Sequence, residues 1–150
     1  MSMSSGVYIP TGSVLEGNDV WIVQRIVLPD GEPLKASDIA TDTNIHVHVF
    51  DLSLGQNSSR GEIVFEDLDL SASDGDILFN TLQTDGYWNG LDEEGYNFRY
   101  QLQYGSSHDA PAGPHMIGGR RYLVEFDVNT DDYGRIRFAS VIQVHNFANL

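Results

Sequence analysis

The sequence predicts an all-β protein, an antiparallel β-sandwich, and three observations carry the prediction. Apolar residues recur with a period of two in the long segments, the repeat of a strand with one buried face. Clusters of Gly, Pro, Asp and Asn break the chain at short intervals, as closely spaced turns require. No stretch of 12 or more residues carries a helical apolar stripe. At 150 residues the chain fits one domain with a substantial core.

Each element can be read in order. Residues 1–19 are polar, contain Gly6, Pro10, Gly12 and Gly17, and read as an extended N-terminal arm; residues 20–150 form the sandwich domain. Residues 20–28 and 44–50 are rich in β-branched and aromatic side chains and read as strands. Between them, Pro29, Asp30, Gly31, Glu32 and Pro33 form a turn, with proline presetting φ and glycine accepting a positive one. Residues 37–40 suffice for a single helical turn. A Gly/Ser/Asn connector over 53–61 leads to short strands at 63–65 and 77–82. The acidic run between them, 66–76, reads as a solvated loop. From Tyr96, alternation places Phe98, Tyr100, Leu102 and Tyr104 with it on one strand face. A long Gly/Pro loop over 105–119 follows. Tyr122, Val124, Phe126 and Val128 then alternate with water-facing Glu125 and Asp127, and residues 129–134 turn the chain into a last strand over 136–144. Seven or so short strands of this kind indicate a sandwich of immunoglobulin-like or jelly-roll topology.

Charge narrows the range of functions. Eight basic against 22 acidic residues give a formal charge of −14 and a pI near 4.3, so binding to a phosphate backbone is not expected. Zero cysteines leave no disulfide, thiolate ligand or cysteine nucleophile. No apolar run approaches the length of a membrane span, and the first residues lack the basic and apolar regions of a secretory signal.

No motif points firmly to chemistry. His46 and His48 share a strand face at a spacing used in metal sites, but that is also the face where a strand needs polar residues. The acidic run resembles a calcium loop without its glycine and its twelfth-position glutamate in place. Asp92, Glu93 and Glu94 lie in one turn beside Trp88, where carboxylates diverge and do not face each other across a cleft. There is no nucleophile elbow and no phosphate loop. The expectation is therefore a protein without catalytic, cofactor-binding or metal-binding residues.

The most individual stretch runs from Asp85 through Tyr87, Trp88 and Gly95 into Tyr96 and Phe98. It resumes after the long loop at Gly119, Arg120, Arg121, Tyr122, Leu123, Val124, Glu125 and Phe126. Taken with the Pro29–Pro33 turn and Val49, Phe50 and Asp51, this order resembles immunoglobulin-like structural domains of tailed-bacteriophage virion proteins, over about residues 20–147. The resemblance implies a non-enzymatic assembly subunit: a capsid decoration or cement protein, or a neck, tail or baseplate component. It further implies synthesis in the host cytoplasm, residence in the virion, and other virion subunits as partners, in a homo-oligomer or a lattice. Arg120, Arg121, Trp88 and Tyr87 are the candidate interface residues. Trp21, Trp88 and Tyr87 also support an alternative, a lectin-like module that stacks a sugar ring on an aromatic platform.

Overall fold

A computed structural model describes residues 11–53, 62–72, 75–88, 92–103 and 116–146. The described residues form eight strands: β1 (Thr11–Leu15), β2 (Val20–Gln24), β3 (Ile45–Asp51), β4 (Glu62–Leu70), β5 (Leu78–Gln83), β6 (Tyr96–Leu102), β7 (Arg121–Thr130) and β8 (Gly134–His145). They build two sheets, one of five strands in the order β1-β8-β7-β3-β4 and one of three in the order β2-β6-β5. All pairings are antiparallel except β1 with β8, which is parallel from Thr11 opposite Val141 to Leu15 opposite His145. Single 3-10 turns occupy Ala36–Asp38 and Gly86–Trp88.

Period-two patterning explains the core. Ile45, Val47 and Val49 of β3 and Tyr122, Val124, Phe126 and Val128 of β7 are all buried. Opposite them, the small sheet contributes Ile22, Leu78, Phe98 and Leu102. Phe98 is fully buried and meets Phe126 and Phe138 edge-on at 4.6 and 4.8 Å between ring centres. One buried polar link crosses between the sheets: the Gln24 amide donates to the Ser140 hydroxyl at 2.6 Å and the Ala139 carbonyl at 2.8 Å. At the start of β7 the Tyr122 hydroxyl accepts a hydrogen bond from the Ile117 backbone N–H at 2.7 Å.

Four readings need correction. The stretch read as a free arm contains β1, whose residues hydrogen-bond along the end of β8 and whose Val14 packs on the core. Residues 1–10 of that stretch lie outside the described residues. The acidic run is a strand as far as Leu70, since pairing with β3 satisfies its backbone while an edge position leaves its carboxylates in water. Glu125 and Asp127 are buried, because β7 lies between β3 and β8 and their side chains cover it. Tyr96 departs from the core row; its ring neighbours are Phe79 and Trp88, at 5.7 and 5.8 Å. The connector 54–61 and most of the long loop, 104–115, lie outside the described residues.

Candidate functional site

An aromatic surface stands on the three-stranded sheet, and a carboxylate anchors it. Asp85 precedes the Gly86–Trp88 turn; its side chain accepts from the Tyr87 N–H at 3.1 Å, and its carbonyl accepts from the Trp88 N–H at 3.0 Å. The same carboxylate accepts from the Tyr96 hydroxyl at 2.8 Å, which ties the turn to β6. Burial, reinforced by this carboxylate, raises the Tyr96 pKa, so the phenol keeps its proton and remains the donor.

Arg99 of β6 lies against the rings that the turn presents. Its guanidinium carbon is 4.4 Å from the Tyr87 ring centre, 5.4 Å from Trp21 and 5.3 Å from Phe79. One guanidinium nitrogen donates to the Tyr96 hydroxyl at 3.2 Å and lies 3.9 Å from Asp85. Its Nε is shut away from solvent without a hydrogen-bond partner. Trp21 and Tyr87 sit 5.0 Å apart at 60°, and they remain 42% and 46% exposed. Rings held against a partly buried charge and presented to water form a contact surface that needs little ordering on binding.

Trp88 closes one end of this surface. Its indole N–H donates to the Asp92 carbonyl at 3.0 Å, and the Arg25 guanidinium lies 5.8 Å from its ring centre. Arg25 grips Asp92 with two bonds of 2.7 Å. That grip, with help from the backbone N–H groups of Glu94 and Gly95, holds the Asp92 carboxyl well below the usual carboxylate range. Gly95 is required here: its φ is +100°, and a Cβ would lie 2.3 Å from the Gln83 carbonyl oxygen.

Of the four candidate interface residues, the structure brings Tyr87 and Trp88 into this surface together with Trp21. Arg121 begins β7 of the five-stranded sheet, and Arg120 immediately precedes it. Arg120 binds Asp51 at 2.9 Å, not the Asp92–Glu94 turn, and this bond raises the arginine's pKa. Arg121 is exposed at the start of β7. Phe79, Asp85 and Arg99 escape a sequence reading. The available signal is Arg99 itself, one of only eight basic residues, set inside a row of aromatics.

His46 and His48 lie side by side on β3, 6.5 Å apart between ring centres, with His48 at 3.5 Å from Glu66. Among the described residues, no group of three or more His, Cys, Asp or Glu side chains is arranged to hold a metal ion. Asp127 is held by Arg135 and Arg137. Burial pushes the Asp127 carboxyl up, but the Arg135 hydrogen bond and the nearby positive charges outweigh it and keep its pKa low. Compared with protein-family models, curated proteins and solved structures, the chain matches none.

Proposed function

We propose that this chain is a non-enzymatic structural subunit of a tailed-bacteriophage virion, an immunoglobulin-like domain that works through its surfaces. The observation that carries the reading is the aromatic surface of Trp21 and Tyr87 clamped by Arg99. Trp, Tyr and Arg are the side chains that dominate binding energy at protein contacts. Here the two rings are exposed, and Arg99 lies against both.

Strand order supports the immunoglobulin-like part. The order β2-β6-β5 corresponds to the B-E-D strands of that fold, and β8-β7-β3-β4 to G-F-C-C′. The Tyr122 bond to a backbone group five residues upstream, at the start of the F-equivalent strand, supports the same reading, since it resembles the tyrosine corner of such domains.

The test is quantitative mass spectrometry of purified particles made with wild-type chain or with Trp21→Ala/Tyr87→Ala. Wild-type chain is expected at a fixed copy number, and the double variant is expected to melt normally but at least tenfold under-represented. Absence of the wild-type chain from particles overturns the proposal. A second reading, a carbohydrate-binding module, draws on the same half-exposed rings. A glycan array on which wild-type binds and the double variant does not decides in its favour.

A further inference from the structure

We infer that the outer edge of β1 is a self-association surface, on which a second copy of this chain adds its own β1 in antiparallel register about Ser13. Among the described residues the sandwich has four edge strands, β1 and β4 in one sheet and β2 and β5 in the other. Edges normally carry charges, bulges or prolines that discourage further pairing. β4 carries Glu66, Asp67 and Asp69 and two register shifts, and β5 is interrupted by another. β2 is bounded by Asp19 and Arg25, both engaged within the chain, Asp19 with Gln101 and Arg25 with Asp92. β1 reads Thr-Gly-Ser-Val-Leu, uncharged and in unbroken register with β8.

Backbone direction specifies the pairing. The Glu16 N–H donates to the His145 carbonyl at 2.8 Å, so Glu16 faces β8. Strand backbone groups alternate sides, so Val14 and Gly12 also face β8, whereas Ser13 aims both its N–H and its C=O away from the sheet. The side chain of Ser13 is exposed as well. A two-fold axis at Ser13 lets the two Ser13 residues exchange a pair of N–H···O bonds, and Leu15 N–H meets the Thr11 carbonyl of the other copy on each side.

Charge decides that the occupant can be a second copy. Two chains of −14 each repel over most of their surfaces. In this register no carboxylate faces another across the ladder of Thr11–Leu15, and the side chain of Glu16, just beyond it, is already turned to the Gly118 N–H at 2.9 Å. The product is a continuous ten-stranded sheet from two five-stranded ones. A five-residue seam makes a weak, concentration-dependent dimer, and association is closed, because each copy spends its single β1 edge.

Sedimentation velocity over a concentration series is the test, with wild type, Ser13→Ala and Ser13→Pro. Wild type and Ser13→Ala, which retains the amide, are expected to shift from one to two chain masses as concentration rises. Ser13→Pro lacks the outward donor, leaves the β8 ladder intact, and is expected to stay monomeric with an unchanged near-ultraviolet spectrum. If Ser13→Pro does not fold, Ser13→Lys replaces it; two like charges at the axis should then weaken the dimer at least tenfold. Hydrogen exchange adds a second readout, with the Ser13 and Leu15 amides protected only at high concentration. A wild-type chain that is monomeric throughout overturns the inference. So does a dimer unaffected at Ser13 but lost in Trp21→Ala. Neither outcome bears on incorporation into particles, so this inference and the proposed function fail separately.

Discussion

At the scale of single residues, Phe98 shows how one ring ties the two sheets together. It is fully buried between Phe126 and Phe138, so Phe98→Ala removes an entire ring and leaves a cavity between the sheets. A loss of about 3–5 kcal/mol in urea unfolding is expected. Asp127 governs acid sensitivity instead. Its native pKa lies below the ordinary 3.8, so its stabilisation is complete above that value and fades as pH drops through the lower native one. Asp127→Asn should therefore be less stable than wild type at pH 7, and the gap should narrow as both are acidified below about pH 4. Urea titrations at several pH values measure both quantities. Phe98 was legible from alternation alone. The burial of Asp127 was not, because period two assigns a face to each residue without saying how wide the sheet is on that face.

At the scale of elements, the strands were legible wherever apolar alternation ran long, as in β6, β7 and β8. They were poorly legible where pairing alone sustains them. β1 offers five residues with one glycine and two hydroxyls, and it is a strand because β8 supplies a ladder. The second half of β4 is acidic and persists for the same reason against β3. The Arg120–Asp51 bond joins the entry of β7 to the exit of β3, where Asp51 pairs with Tyr122. Because Asp51 is buried, losing its cation leaves the carboxylate with the Ser53 N–H but no counter-charge in a poorly solvated place. Arg120→Ala is expected to lower the melting temperature clearly and Arg121→Ala hardly at all, as differential scanning fluorimetry of the two variants will report. In the sequence the two arginines look equivalent; only their opposite directions on an extended chain separate them. The aromatic surface was half legible in the same way: Tyr87 and Trp88 stand out locally, whereas Arg99 and Phe79 reach them only through the pairing of β5 with β6.

At the scale of the whole molecule, charge is the dominant property. A net −14 on 150 residues opposes the compact state through self-repulsion, and mobile cations screen it over roughly 10 Å at 0.1 M salt. The melting temperature should rise steadily between about 10 mM and 500 mM sodium chloride and then level off, since the Debye length shrinks from roughly 30 Å to under 5 Å over that range. A flat response would mean that local pairs such as Arg25–Asp92 and Arg135–Asp127 already neutralise most of the repulsion. The fold class was legible at this scale from turns and periodicity, but the choice of partner strands was not, because pairing depends on contacts distant in sequence.

The parallel seam between β1 and β8 also sets an order in time. The β7–β8 hairpin closes through a three-residue turn at Asp131–Tyr133, so it forms from neighbours in sequence. β1 must wait for Val141 and the residues after it, which are synthesised long after β1 itself. Until those residues emerge, β1 is a segment without its partner. The large sheet is therefore completed at its β1 edge only after β8 exists, and the surface that β1 offers to a second copy is assembled only once that seam has closed.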